Sequence, residues 1–306
     1  VLERIAALLA GGLIREISGL LNARTLGYRS TLVAARVAED DLSSCIDAVN
    51  AHPGVSHNYL RDHEYNIWFT LSLPAGQSME EVVASLFRGV GRLDYLLLPA
   101  VRRFKLRVDL PVSEGTCGGR NSGGAHDDSG PPPDGPATPG PRASRRPTLD
   151  ATDRALIRLL QEPFPLVAEP WTRIGAAAGL STDATLAGVR RLEELGVLRR
   201  VSAVIRHRRL GYAANGMACF SVPAAKMEHA GRIAAAYQEV SHCYWRSASG
   251  PWPYPLFAMI HARSREACDG VTESIAGAID CSDFQILYSV RELKKARVKY
   301  DPLWAE

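Results

Sequence analysis

The feature that most constrains the fold of this chain is an internal duplication. Four short motifs of the N-terminal part recur in the same order in the C-terminal part, at an offset that drifts only from 184 to 189 residues. The matched segments are 12–18 with 196–202, 26–28 with 210–212, 55–59 with 240–244, and 101–105 with 290–294. Ordered matches at nearly one offset indicate a duplicated module. Both parts of the chain are therefore expected to adopt the same fold.

One stretch without core-forming residues separates the two copies. Residues 113–147 are rich in Gly, Pro, Ser and Ala and contain almost no large apolar side chain. Such a segment cannot bury enough surface to offset the entropy of ordering it, which predicts a disordered linker. By the offset of the repeat, Val1 aligns with Thr185. The first copy thus lacks a counterpart of residues 148–184, and we expect an N-terminal truncation.

The second copy shows the complete pattern of elements. Helices are predicted over 149–162 and 171–178, and a third begins at Ser181 and ends before Gly196. A strand over 197–206 completes a winged helix. The order βαββαβ follows, as in a ferredoxin-like sandwich, and the first copy repeats it. The prediction is an α+β chain with two tandem copies of winged helix plus ferredoxin-like sandwich, the first winged helix being truncated. Its predicted parts are 1–27, 28–112, the linker 113–147, 148–209 and 210–306.

Charge and composition exclude several classes of protein. The formal net charge is only +3, and the third helix of the winged helix carries two arginines but three acidic residues. Phosphate contacts need several cations on one face, so DNA binding is not expected. No stretch of about eighteen apolar residues is present, which predicts no membrane span. The N-terminus does not resemble a signal peptide, which favours a cytoplasmic protein.

The six cysteines do not indicate a metal site. None of them forms a C-x-x-C pair. Without a secretory signal they are expected to be reduced thiols. We therefore predict that the protein itself binds no metal ion.

Polar and aromatic residues alternate along two adjacent strands of the first copy. In the strand over 55–63, one face carries two histidines, a tyrosine and an arginine. The helix-covered side of the sheet would be a costly place for those groups. We therefore predict a single open sheet face that carries His57, Tyr59, Arg61, His63, Asn66 and Trp68.

The second copy repeats only part of this set. His242, Tyr244 and Arg246 correspond to the first three residues, but His63 has no counterpart. A longer loop supplies Trp252 and Tyr254 instead. A basic cluster at the end of the wing adds Arg206, His207 and Arg208.

Imidazoles, guanidiniums and large aromatic rings together suit a flat anionic macrocycle. Trp and Tyr rings can stack on a tetrapyrrole, and Arg binds carboxylates in bidentate fashion. Histidine can donate a proton or ligate iron. This combination favours a tetrapyrrole ligand.

The two runs HNYLRDHEYNIWFTL and SHCYWR…WPYPLF closely resemble the siroheme decarboxylase family, and the resemblance covers both copies. The arrangement of domains is similar to that of the leucine-responsive feast/famine regulators. The resemblance implies removal of the C12 and C18 acetate carboxylates of siroheme, which gives 12,18-didecarboxysiroheme. It also implies a place in heme d1 or alternative heme biosynthesis. The resemblance implies no cofactor, because siroheme carries its own iron.

Within that reaction, imidazolium groups can supply the protons that decarboxylation consumes. The predicted catalytic residues are His57, His63, His242 and His207, the last as an acid or iron-side group. The predicted substrate-binding residues are Tyr59, Arg61, Asn66, Trp68, Arg206, Arg208, Tyr244, Arg246, Trp252 and Tyr254. Arginines should hold the carboxylates that remain, because pairing the departing one would raise the barrier.

Two other functions stay open at this level. The same pocket could sense a tetrapyrrole in a transcriptional regulator of the leucine-responsive family, or it could belong to a non-catalytic tetrapyrrole carrier. In every case the two halves are expected to pair as an internal heterodimer. A further homodimer is possible, and neither DNA nor a membrane is an expected partner.

Overall fold

The computed structural model describes residues 1–91, 94–106, 147–205, 214–247 and 251–301. Most of the predicted linker lies outside these residues, and so does the predicted basic cluster of Arg206, His207 and Arg208. The two ferredoxin-like units and the winged helix of the second copy lie within them.

Each copy contains one βαββαβ unit. The bounds in the first copy are β2 Tyr28–Arg36, α2 Leu42–Ala51, β3 Val55–Arg61, β4 Ile67–Pro74, α3 Met79–Leu86 and β5 Asp94–Leu106. The bounds in the second copy are β7 Ala214–Phe220, α7 Met227–Ala236, β8 Val240–Arg246, β9 Leu256–Ala262, α8 Arg265–Ala278 and β10 Phe284–Lys295. The predicted α+β fold class is confirmed.

The two four-stranded sheets close into one barrel. The strand order is β10-β3-β4-β2-β5-β8-β9-β7, so each copy supplies four neighbouring strands. The long last strand of each copy crosses to the other copy: β5 pairs with β8, and β10 pairs with β3. The two copies are therefore related by a half-turn rotation about the barrel axis. The expected pairing of the two halves is confirmed, and it takes the form of a shared barrel.

This closure corrects one expectation. The polar face of the first sheet was predicted to be open, but a closed barrel turns that face toward its interior. Each sheet still packs its other face on its own helices, around Phe69 in the first copy and Phe220 in the second. A separate buried cluster, which includes Trp68, Trp252 and Phe257, fills part of the barrel interior.

Two equivalent lysines tie the copies together. Lys105 of β5 donates from Nζ to the carbonyl of Tyr237 at 2.6 Å, just beyond the end of α7. Lys294 of β10 donates to the carbonyls of Asn50 and His52 at 2.7 and 2.9 Å, at the end of α2. A cation at a helix C-terminus satisfies carbonyls that lack a helical partner. Each copy thus caps a helix of the other.

The winged helix of the second copy consists of α4 Ala151–Leu160, α5 Pro170–Ala178, α6 Thr182–Glu194 and β6 Leu198–Ile205. Asp150 and Asp153 form a capping box at the start of α4, and Ser181 caps α6. The first copy contributes α1 Leu2–Ala10 and β1 Ile14–Leu21. Strands β1 and β6 pair antiparallel, and we call this two-stranded unit the wing sheet.

The segment after β10 fastens the wing sheet to the barrel. Arg297 forms an ion pair with Glu16 of β1 at 2.7 Å, and Lys299 pairs with Glu162 at 2.7 Å. Tyr300 packs edge-on against Tyr28 at the start of β2, with ring centroids 4.8 Å apart. The wing sheet therefore lies at the end of the barrel where β2 begins. We call this the wing end.

Candidate functional site

The repeated His-x-Tyr-x-Arg motif lies at equivalent positions on β3 and β8. Its residues point into the barrel, because the intervening Asn58 bonds Asn50 of α2 at 3.0 Å and Cys243 is buried in the helix-side core. His57 and His242 lie closest to the wing end. They are near enough to each other for His242 to lower the pKa of His57.

A β-bulge places a serine beside each histidine. The strand register shifts between Val55 and His57, and it shifts at the equivalent place between Val240 and His242. Bulges redirect side chains and are common beside active sites. Here they bring the Ser56 hydroxyl to 3.0 Å from Nδ1 of His57 and the Ser241 hydroxyl to 2.7 Å from Nδ1 of His242.

Two equivalent arginines lie deeper in the barrel. Arg61 donates from Nη1 to the carbonyl of Leu287 at 2.7 Å, and Arg246 donates to the carbonyl of Leu98 at 2.7 Å. Each guanidinium also stands over the tyrosine of its own motif, 5.6 Å from the ring centroid of Tyr59 and 4.8 Å from that of Tyr244. Arg246 also stands over the ring of Phe257, 5.7 Å from its centroid. One nitrogen of each guanidinium thus donates to a carbonyl, and aromatic rings cover its faces.

The other nitrogens of each guanidinium form no hydrogen bond among the described residues. Arg61 is only 4% exposed, and the Nε atoms of Arg61 and Arg246 are both buried without a hydrogen bond. No described carboxylate forms an ion pair with either side chain. Burial lowers both pKa values to about 10, so both groups stay charged at neutral pH. Burial raises the pKa of the neighbouring Cys219 thiol, which therefore supplies no counter-charge.

More cations surround the histidines at the wing end. Burial together with Lys295, His242 and Arg15 lowers the pKa of His57 to about 4, so His57 is neutral at pH 7. Arg15 belongs to the wing sheet and donates a hydrogen bond to the carbonyl of Lys295. The wing end therefore concentrates positive charge around the neutral imidazole of His57.

Each copy contributes a further cation near the second motif. Arg103 and Arg199 both act on the Tyr244 hydroxyl, whose pKa burial raises and these cations lower. The sequence interpretation missed Arg15, Arg103, Arg199 and Lys295. The repeat could have identified two of these residues, because Arg15 and Arg199 occupy equivalent positions in the first repeated motif.

Several predicted site residues form a packed cluster in the other part of the barrel interior. We call the rings of Tyr65, Trp68, Trp252, Tyr254 and Phe257 the aromatic plug. Trp68 and Trp252 are 1% and 3% exposed, and their centroids lie 5.3 Å apart. Their indole nitrogens donate to the carbonyls of Tyr65 and Tyr254 at 2.6 and 3.0 Å. The two tryptophans are core residues and do not line an open face.

The remaining predicted residues of this region also have protein partners. His63 packs against Trp252 at 5.6 Å and accepts a hydrogen bond at Nδ1 from the Tyr65 amide at 3.0 Å. Asn66 exchanges two hydrogen bonds with the backbone of Val37, and the Tyr254 hydroxyl donates to Asp283 at 3.1 Å. We call this the plug end.

His57 and His63 lie far apart along the barrel. Six residues of chain separate them, about 20 Å in extended conformation. They lie toward opposite ends of the barrel. The structure instead brings together His57, Tyr59, Arg61, His242, Tyr244 and Arg246. No group of three or more metal-ligating residues occurs in the described part of the chain, and no described helix could span a membrane.

Comparisons with known proteins agree with this architecture. The AsnC-like ligand binding domain matches twice, at residues 25–105 and 209–294. The siroheme decarboxylase NirDL-like HTH domain matches residues 153–199. Together these models cover both ferredoxin-like units and the helices of the second winged helix.

Full-length relatives show the same likeness. A siroheme decarboxylase of Hydrogenobacter thermophilus is 36% identical over 98% of this chain and 85% of its own length. The siroheme decarboxylase NirH subunit of Pseudomonas aeruginosa is 43% identical over 48% of this chain and 87% of that subunit. The crystal structure of the siroheme decarboxylase NirDL in complex with an iron-uroporphyrin III analogue matches with a TM-score of 0.72 at 32% identity, over 98% of this chain and 83% of that one.

Proposed function

Because the chain belongs to the siroheme decarboxylase family, we propose that it converts siroheme to 12,18-didecarboxysiroheme and releases two CO2. The pathway is heme d1 or alternative heme biosynthesis. The substrate is a flat macrocycle with carboxylates around its whole edge, and it brings its own iron. Each acetate that leaves becomes a methyl group.

One observation carries this proposal: among the described residues, the charged guanidiniums of Arg61 and Arg246 have no carboxylate partner, and their Nε atoms are buried without a hydrogen bond. A buried charge without a counter-charge is costly. Two such arginines therefore favour a binding site for an anionic ligand, which would supply the counter-charge. Carboxylates match the unused donors of a guanidinium. Two equivalent arginines suit a ligand that presents more than one carboxylate.

The reaction itself needs protons and no electrons. The bond between the acetate methylene and its carboxylate breaks, CO2 leaves, and the electron pair passes toward the pyrrole ring, which protonation makes an electron acceptor. The methylene then takes up a proton and the ring returns its own, so each decarboxylation consumes one proton overall. An acid and a base beside the acetate satisfy these transfers. His57 and His242 are the groups that we propose for them.

The cations at the wing end explain how a neutral histidine can become an acid. Lys295, Arg15 and burial keep His57 unprotonated in the ligand-free protein. A polyanionic macrocycle would reverse the sign of the local field and raise the pKa of His57. Substrate binding and proton uptake would therefore be coupled.

Features of the winged helix support the absence of DNA binding that we also propose. Of the two arginines on α6, Arg191 forms an ion pair with Asp153 of α4 at 3.2 Å. Arg190 is then the one arginine of α6 that is available for phosphate contacts, and the helix also carries acidic residues. Phosphate binding requires more cations than this on one face.

The experiment that tests the proposal follows the pigment. Purified protein is incubated anaerobically with siroheme, and the tetrapyrrole is extracted and analysed by mass spectrometry. We expect successive loss of two carboxylates as CO2. Binding of siroheme with no mass change would instead indicate a carrier or a sensor, and a sequence-specific gel shift would select the sensor.

A further inference from the structure

The two repeated motifs are equivalent on their own strands, but the strand that crosses from the other copy places a different charge beside each. Resting on the proposed function, we infer that Arg103 binds a carboxylate of the macrocycle at the second motif, whereas Glu292 keeps carboxylates away from the equivalent position of the first. The anion-binding surface of the barrel is therefore one-sided.

The pairing of the strands defines the two equivalent positions. Arg103 of β5 is the register partner of Tyr244, and Glu292 of β10 is the register partner of Tyr59. Direct partners in an antiparallel pair project from the same face of the sheet. Both side chains therefore lie on the face that carries the motifs, whereas the residue after each of them packs against a helix-side core.

Beside the second motif, the cation is available for a ligand. The side chain of Arg103 is partly exposed and forms no hydrogen bond or ion pair with the described residues. Its charge acts on the Tyr244 hydroxyl together with the charges of Arg199 and Arg246, and all three lower a pKa that burial raises. Three guanidiniums from both copies thus lie around one tyrosine, and guanidiniums match the geometry of carboxylates.

Beside the first motif, an acidic group takes the equivalent place. The Glu292 carboxylate lies 3.9 Å from Nζ of Lys295, and the two side chains are 33% and 26% exposed. A carboxylate at this position repels a carboxylate of the ligand and offsets the charge of the lysine. The position beside Tyr59 is therefore unsuitable for an acetate or propionate group.

The position beside each histidine also differs. Lys295 is the register partner of His57, whereas Leu106 is the register partner of His242. Leu106 is 46% exposed. Its apolar side chain suits contact with the face of a flat macrocycle, while Arg103 on the same strand would hold a carboxylate at the rim. The second motif thus offers partners for both parts of the ligand.

A binding titration tests this assignment. The probe is iron-uroporphyrin III, whose rim carries acetate and propionate groups, and its absorbance changes give the dissociation constant. We expect Arg103→Gln to raise the dissociation constant about tenfold, the equivalent of one hydrogen bond to a charged group. Arg103→Lys keeps the cation and should recover part of this loss. Glu292→Gln should not raise the dissociation constant.

Two other arginines control for net charge. Arg102 precedes Arg103 but pairs with Glu228 of α7 at 2.7 Å, on the helix-covered face of the sheet, and Arg232 pairs with the same glutamate at 2.8 Å. Arg102→Gln and Arg232→Gln remove the same charge and should each change the dissociation constant by less than about twofold. An unchanged value in Arg103→Gln would overturn the inference, and so would an equal rise in these controls or in Glu292→Gln.

Siroheme separates this inference from the proposed function. The KM for siroheme should rise in the same order across the variants, with a smaller change in kcat. If the probe binds with the expected dependence on Arg103 but the mass of siroheme stays unchanged, the proposed function fails and the carboxylate site stands. If the wild type decarboxylates siroheme and Arg103→Gln keeps the wild-type affinity and KM, the inference alone fails. A wild type that binds neither pigment would overturn both.

Discussion

The aromatic plug and the repeated His-x-Tyr-x-Arg strands share one barrel interior, but their polar groups differ in whether they have protein partners. At the plug end, the indole nitrogens of Trp68 and Trp252 and the amide of Asn66 all have protein partners. Between the aromatic plug and the two histidines, Arg61 and Arg246 keep buried Nε atoms without any. Buried polar groups are normally satisfied, so exceptions require an explanation. Histidines and aromatic rings thus do not by themselves mark a ligand site; unsatisfied donors beside them do.

The largest effect that we expect concerns the plug end. If the aromatic plug is core, Trp252→Ala should lower the free energy of unfolding by about 3–5 kcal/mol, because it removes a fully buried indole and leaves a cavity. Urea denaturation followed by circular dichroism measures this. Tyr254→Phe is the matched control, since it removes only one partly exposed hydroxyl and should cost under about 1 kcal/mol. A stable Trp252→Ala protein that no longer binds siroheme would mean that the plug is a ligand surface.

The next effect concerns the two buried arginines, and here we expect a loss of activity without a loss of stability. Arg61→Met and Arg246→Met should each lower kcat/KM for siroheme about 100-fold, as expected when a charged hydrogen-bond partner of a carboxylate is lost. The free energy of unfolding should stay the same or rise, because methionine replaces an unpaired buried charge with an apolar side chain.

A plug-end arginine provides the control for that experiment. Arg36 forms exposed ion pairs with Glu64 and Asp94 at 3.6 and 3.5 Å. Arg36→Met should change kcat/KM by less than about twofold. A comparable loss in Arg36→Met would show that activity responds to overall charge and not to the buried pair.

The sequence was sufficient to predict the architecture, because the repeat supplied two versions of each pattern. The βαββαβ order could be recognised in both copies because of matches such as residues 55–59 with 240–244. The pairing of the halves was expected from the resemblance to the leucine-responsive regulators. The repeated His-x-Tyr-x-Arg strand also identified the core of the candidate site. Those residues share one face of one strand, so local periodicity was enough.

The features of the site that the sequence did not predict depend on contacts between distant parts of the chain. Alternation along the strand over 55–63 cannot distinguish an open sheet face from a barrel interior, because β5 and β10 close the barrel by crossing between copies. It also cannot reveal a bulge, which is why Ser56 and Ser241 were overlooked. Proximity in sequence grouped His63 with His57, although extended strands carry nearby residues far apart. The same limit hid Arg15, which reaches the site from the wing sheet.

A pH experiment sharpens the contrast through His57. Its pKa falls from 6.5 to about 4 on folding, so the unfolded chain binds more protons between these values, and stability falls as pH decreases. Between pH 7 and pH 5 this histidine should remove about 2 kcal/mol from the free energy of unfolding of the ligand-free protein. His57→Gln should lose that part of the pH dependence in urea titrations. An unchanged slope in His57→Gln would mean that the imidazole is not desolvated at the wing end.

The smallest expected effect is the one that most directly tests the comparison. His63 was predicted from sequence as an acid, which requires His63→Gln to suppress at least one decarboxylation. In the structure its ring packs on Trp252, its Nδ1 accepts from the Tyr65 amide, and it lies at the plug end. A group about 20 Å of chain away from His57 cannot share a proton with the same acetate. We therefore expect His63→Gln to decarboxylate siroheme within about twofold of the wild-type rate, measured in parallel with His57→Gln. Accumulation of a monodecarboxylated product in His63→Gln alone would contradict this expectation and move the working site to the plug end.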